Sequence, residues 1–295
     1  MNASVQSPRT SLWALRVLTV VLAAVMGLAL ASATQDRGSA AGTVANVAWG
    51  LVVAALVIDL VVPSPLGLTI VRMVLPLSVP AAALALAYGA SPARGVSALA
   101  LALLATLVAF SAEAGEALVQ GGAYGEERRL PLRPPAVVLP FMVVSWVVWA
   151  ALALVAVLAL SDHRWLVGAL VAAVGGLLGW MLFVRFHRFS RRWLVLVPAG
   201  AVLHDHVVLG ETLMLPRPNV VGAALAPADT EAADLTGPAA GHAVEIVVRE
   251  MVLAVLAATP ADPKGKALHV QSLLVAPSRP GRALQAIAAV KIPVG

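Results

Sequence analysis

The chain has 295 residues, of which 60% are hydrophobic and 12% charged, with a mean hydropathy of +0.92 and no cysteine. Soluble domains are about 45–50% apolar and about 25% charged, so this composition excludes a soluble enzyme. Without cysteine there is no disulfide framework, thiolate zinc site, iron–sulfur cluster or cysteine nucleophile. The formal charge of +5 and pI near 10.4 do not point to nucleic acid, because the arginines gather at the ends of apolar runs, where lipid headgroups are the nearer anions.

A hydrocarbon core of about 30 Å takes roughly 20 apolar residues in helix, since lipid offers no partner to open backbone groups. Six segments have that length: 12–33, 43–62, 66–88, 96–118, 136–160 and 165–184. The breaks between them carry Pro and Gly, and Pro76 and Pro80 predict a kink in the third. The first segment admits a second reading. Arg9 and Arg16 precede an apolar run ending in Ala31-Ser32-Ala33, a signal-peptide pattern, but the run exceeds the usual apolar length of about 7–15 residues and so favours a retained anchor.

Translocated positive charge is disfavoured, so arginine placement predicts orientation. With the N-terminus inside, Arg9, Arg16, Arg128, Arg129, Arg133, Arg185, Arg188, Arg191 and Arg192 lie on the cytoplasmic side, against Arg37, Arg94 and Arg164 outside. Six spans then put both termini in the cytoplasm, with Lys264, Lys266 and Lys291 in the tail. The expected protein is a polytopic α-helical protein of the inner (plasma) membrane. Its parts are a cytoplasmic segment 1–11, a six-helix domain 12–184, a basic aromatic juxtamembrane anchor 185–193 and a small cytoplasmic β-rich domain 194–295.

From Trp193 the runs shorten to strand length, with turn residues between them: 193–197, 201–203, 207–209 and 212–215. The stretch 224–241, rich in Ala, Pro, Asp and Thr, reads as a loop or disordered insert. Strands are expected over 242–256 and 267–276, and a terminal helix over 278–290.

Few residues promise chemistry. Asp59 and Arg72 are ionisable groups inside predicted spans, flanking one tight turn, where an ion pair is sterically reasonable and reads as either a structural pair or a proton or ion site. Glu113 and Glu116 share one helix face at the cytoplasmic end of the fourth span; no further ligand accompanies them, which favours a helix end partnered by Arg128 or Arg129 over a cation site. His204, Asp205 and His206 read as a hairpin tip more than as the start of a metal site. Gly175 and Gly179 form a G-x-x-x-G that lets another helix approach, within this chain rather than between copies. Arg185, Arg188, Arg191, Arg192 and Trp193 read as an anchor for anionic lipid headgroups. No phosphate-binding loop, dinucleotide fingerprint or nucleophile elbow is present, so neither catalytic residues nor cofactors are expected.

The Ala-, Val- and Leu-heavy spans, with the passage from Arg191 to Gly200 (RRWLVLVPAG), resemble uncharacterised polytopic membrane proteins of high-GC actinobacteria, a resemblance that implies a cell-membrane location and no activity. The tail is similar to small β-rich cytoplasmic modules, PH-like in kind, of other bacterial membrane proteins. The expected function is a non-enzymatic accessory or scaffold whose β-rich module binds a protein partner or the membrane surface. The competing readings are a small secondary transporter or channel using Asp59 and Arg72, and an envelope-lipid enzyme.

Overall fold

The computed structural model describes residues 8–258, 263 and 265–295. Residues 1–7 of the predicted N-terminal segment, the Arg9 side chain and Lys264 lie outside the described residues. The chain divides into two units, one running up to Gly121 and resuming over Met142–Phe186, the other formed by Gly122–Phe141 and His187–Gly295.

Among the described residues six helical stretches are long and apolar enough to cross a membrane: Thr10–Thr34, Ser39–Val61, Pro65–Ala87, Pro92–Phe110, Ala136–Ser161 and Trp165–Ser190. They are built from α1 (Pro8–Thr34), α2 (Ser39–Val61), α3 (Pro65–Val74), α4 (Ser78–Ala87), α5 (Pro92–Phe110), α7 (Leu139–Ser161) and α8 (Trp165–Ser190), with a short α6 (Ala112–Gln120) after α5. On α5, Ala98, Ala102, Ala105 and Ala109 are fully buried at three- and four-residue spacing. This small-residue face lets α1 come close to α5, and on α1 itself Leu15, Leu22 and Met26 are fully buried.

Two spans depart from unbroken helices, for local reasons. The third contains the kink expected from its prolines: a 3-10 turn at Leu75–Leu77 separates α3 from α4 around Pro76, which has no N–H to give. Near this break the Met73 carbonyl accepts the indole N–H of Trp146 on α7 at 2.9 Å, a satisfied polar group where lipid offers none. The fourth, expected over 96–118, ends at Phe110. Ser111 leaves the helix with ψ 150, and its hydroxyl accepts from the Ala114 N–H at 3.2 Å, capping α6. Glu113, Glu116 and Gln120 therefore belong to a separate helix rather than to a span.

The second unit holds two four-stranded sheets. In the first, β1 (Arg128–Pro131), β2 (Trp193–Val197), β3 (Gly200–His204) and β4 (Leu213–Pro216) run antiparallel in sequence order, with Arg129 opposite Val195 and Leu194 opposite Leu203. The β2–β3 turn needs glycine: Gly200 has φ +150, and a Cβ there would lie 2.2 Å from the Leu215 carbonyl oxygen. The second sheet has the order β5-β7-β8-β6, from β5 (Val220–Leu225), β6 (Ala233–Asp234), β7 (Val244–Leu256) and β8 (Lys266–Val275). The core is lined by Leu194, Leu196, Leu203 and Leu215 from the first sheet and by Ile246, Leu273 and Val275 from the second, with Ala283 and Ile287 of the terminal helix α9 (Pro280–Ala289).

Two boundary expectations are corrected here. The β-rich part does not begin at 194, because β1 comes from the connection before α7 and contributes a strand of only four residues, too short and too charged to show period-2 alternation. The stretch 224–241 is not a disordered insert. It finishes β5, contributes β6 and buries Leu235, and its Thr236 hydroxyl donates to Asp234 at 2.6 Å.

Candidate functional site

The strongest electrostatic feature of the β-rich unit is a buried ion pair. Arg192 follows α8 and precedes β2, and its guanidinium meets the Asp205 carboxylate with Nη2 to Oδ2 at 2.7 Å and Nε to Oδ1 at 2.9 Å. Neither side chain has solvent exposure. The remaining donors reach the Arg133 carbonyl at 2.7 Å and the Thr236 carbonyl at 2.9 Å, while Asp205 Oδ1 accepts from the N–H groups of Val207 and Val208. All three guanidinium nitrogens donate and both carboxylate oxygens accept, which is what a buried pair requires. The guanidinium clamps β1, the β3 end and the connection after β6 together. Arg192 is therefore no headgroup anchor. Trp193 is not one either: it is buried, stacked on His204 with ring centroids 5.1 Å apart and covered by the Arg129 guanidinium at 5.1 Å. Its run of arginines reads as an interfacial signal in sequence, and nothing local distinguishes the one that turns inward.

Arg185 and Arg188 lie in the last turns of α8 and Arg191 just beyond it, all three exposed. Arg188 Nη2 donates to the His206 carbonyl at 3.3 Å. His204 and His206 approach edge to face at 4.4 Å, and His204 Nδ1 lies 3.4 Å from the Thr212 hydroxyl. Burial holds the His204 imidazole below its ordinary pKa, and the charges of His206, Arg191 and Arg129 push the same way against Asp205. Among the described residues no group of three or more histidine, aspartate or glutamate side chains could hold a metal ion.

In the membrane-spanning unit the expected Asp59–Arg72 ion pair does not form: among the described residues no salt bridge joins them. Arg72 instead points at the break between α5 and α6, donating from Nε to the Ala109 carbonyl at 3.1 Å and from Nη2 to the Ser111 carbonyl at 3.3 Å, with Phe110 beneath it at 5.5 Å. Carbonyls at a helix C-terminus carry partial negative charge and lack helical partners, so they compete with a carboxylate for the cation. Asp59 sits against Gly67, whose missing side chain leaves room for it. Glu113 lies in the first turn of α6, where its charge suits the helix dipole, and Glu116 is buried beside Gly115. Gly175 and Gly179 face α7 in the same unit, and a Cβ on Gly179 would lie 2.5 Å from Trp149 Nε1.

Sequence reasoning does not pick out the outer edge of β8. β7 covers one side of this strand along most of its length, but on the other side β6 pairs only with Leu273 and Leu274. The Leu274 carbonyl accepts from Leu235, which fixes that residue as outward-facing; alternation then turns the backbone N–H and C=O groups of Ser272, Val270 and Leu268 outward too. Among the described residues nothing pairs with them. A groove of about 480 Å³ runs beside this edge, walled by Thr230, Glu231, His269 and Gln271. Its floor is fixed by Glu245, which accepts from the Ser272 hydroxyl and, at 3.0 Å, from the Thr230 hydroxyl. The signal that could have revealed it is the mismatch between a ten-residue strand and its two-residue neighbour, and that needs the pairing itself.

In comparison with known proteins, no family model matches the chain, and neither a curated protein nor a solved structure matches it.

Proposed function

We propose that this is a non-enzymatic accessory protein of the plasma membrane, whose six spans hold the β-rich module at the cytoplasmic face. The module takes an extended segment of a protein partner along the outer edge of β8. The open edge carries the reading: unpaired strand backbone beside a groove supplies main-chain hydrogen bonds for affinity and side-chain pockets for selection. Natural proteins commonly blunt or cover such an edge, and here, among the described residues, two residues of β6 pair with it.

That the two segments share one side of the membrane is supported by topology, and which side it is by charge. β1 precedes α7 and β2 follows α8, so pairing them in one sheet needs an even number of crossings between them, and α7 with α8 supplies two. The arginines at 128, 129 and 133 and at 185, 188 and 191 favour the cytoplasm for both segments. Reporter fusions after Gly295 and near Gly125 should both be active only in the cytoplasm; activity on opposite sides would remove the shared sheet as well as the location.

The binding edge is tested with a photo-crosslinking side chain at Gln271 of the full chain in its own membrane. A discrete protein adduct is expected, and Val270→Pro should abolish it, because that N–H faces outward and its loss removes no bond to β7. An adduct that survives Val270→Pro, or none at all, sinks strand addition.

A second reading, a small transporter, draws on one observation. The fourth span stops short at Ser111, and the Arg72 cation is held against the break, as in transporters built on discontinuous helices. Proton flux into proteoliposomes that Arg72→Met abolishes would favour it; flux no greater than in empty liposomes would remove proton transport.

A further inference from the structure

A cleft of about 330 Å³ lies between α1 and α2, along the second to fourth turns of α1 and the end of α2. Its walls are Val20, Val57, Leu60 and Val61, and Arg16 stands at its polar end beside Trp13. Arg16 is held by a single bond from Nε to the Leu60 carbonyl at 2.9 Å, and its guanidinium lies 5.0 Å from the Trp13 ring centre. That leaves both Nη atoms without a hydrogen-bond partner among the described residues. Thr19 beside it is 2% exposed, and its enclosed hydroxyl has no partner among the described residues, although a helical threonine ordinarily donates to the carbonyl a turn earlier. A fixed cation with forked donors to spare at the end of an apolar cleft describes a site made for a ligand that is anionic at one end and hydrocarbon at the other.

We propose that this cleft is a binding site for one anionic phospholipid, its phosphate on the Arg16 Nη atoms and an acyl chain along Val20, Val57 and Val61. The occupant follows from charge and position. Trp13 and Val61 are 62% and 66% exposed on helices long enough to span, so the cleft is open to the bilayer. Its volume, on the order of ten waters at ~30 Å³ each, suits part of an acyl chain rather than a second helix. The planar guanidinium presents two parallel N–H groups to phosphate oxygens, which a lysine would not reproduce while also holding Leu60. An uncompensated negative headgroup is favoured over a zwitterionic one, because Arg16 meets no acidic side chain in the cleft.

The test is native mass spectrometry of the full chain released from detergent and titrated with dioleoyl phosphatidylglycerol, dioleoyl phosphatidylcholine or inorganic phosphate. One saturable phosphatidylglycerol adduct is expected, at least several-fold tighter than phosphatidylcholine, with no retained phosphate alone. Arg16→Gln should weaken it about tenfold, whereas Arg94→Gln, the same change of charge elsewhere, should leave it unaltered. Should Arg16→Gln fail to fold, a second pair decides: Val57→Trp fills the cleft and should abolish the adduct, while Ile58→Trp, on the neighbouring lipid-facing position, should not. Equal loss in Arg16→Gln and Arg94→Gln, equal affinity for the two lipids, retention of phosphate alone, or an adduct that survives Val57→Trp overturns the proposal.

Discussion

The Arg192 guanidinium and the Asp205 carboxylate are fully enclosed between strands, with their closest atoms 2.7 Å apart. Removing one partner leaves the other charged, buried and unpaired, at a cost of about 3–5 kcal/mol. Arg192→Met and Asp205→Ala should each lower the unfolding midpoint of the full chain in detergent sharply. Combining them should cost less than the sum of the two, although the Arg133 and Thr236 carbonyls stay orphaned. Single variants within about 1 kcal/mol of the parent would show that the pair is not the clamp described.

His204 predicts a pH dependence. Its folded pKa lies below that of the unfolded chain, so the unfolded state binds more protons as pH falls through the ordinary histidine value near 6.5. The stability it contributes is complete above that pH and is lost progressively below it, as a cation forms beside His206, Arg191 and Arg129 with only Asp205 to oppose the cost. The unfolding midpoint should therefore drop between pH 7 and pH 5, and His204→Gln should flatten that slope. A parallel slope in the variant would assign the effect to other groups.

Helix packing gives a contrast within one helix. Gly179→Ala places a methyl against the Trp149 ring, and the α7–α8 pair should lose about 1–3 kcal/mol. At Gly176 nothing lies within 4 Å, so Gly176→Ala should be neutral or slightly stabilising. Thermal shift in lipid nanodiscs distinguishes the two, and equal effects would argue against close approach at Gly179.

A fragment beginning at His187 should not fold cooperatively, because it lacks β1 and exposes the side of β2 that β1 covers. Joining 122–138 to its N-terminus through a flexible linker should restore a cooperative transition. If the shorter fragment already melts cooperatively with the same midpoint, β1 is an ornament on the sheet.

How much of this was legible in the sequence depends on the range of the forces involved. Spans announce themselves because lipid imposes a length on every one of them, and the strands from Trp193 onward carry their turns beside them. The six-helix and β-rich architecture is accordingly what composition and pattern predict. Partner choice is different. Arg72 and Asp59 look matched along the chain, yet the carbonyls that take Arg72 come from the end of α5 and from Ser111 just beyond it, 37 and 39 positions away. Arg192 looks like its neighbours until the fold supplies Asp205. The groove along β8 exists only because β6 stops after two residues, and no local pattern encodes what a strand is next to.

The placement of β1 has a consequence for biogenesis. It leaves the ribosome ahead of α7 and α8, while the strand it must pair with emerges only after both have been made. Until α7 and α8 have inserted and the chain has returned to the starting side, β1 waits as an unpaired strand at the membrane surface. The sheet can close only when the topology is right, so its closure reports on insertion: a chain that fails to thread either helix correctly strands its own module unfolded, in the state that quality-control proteases recognise.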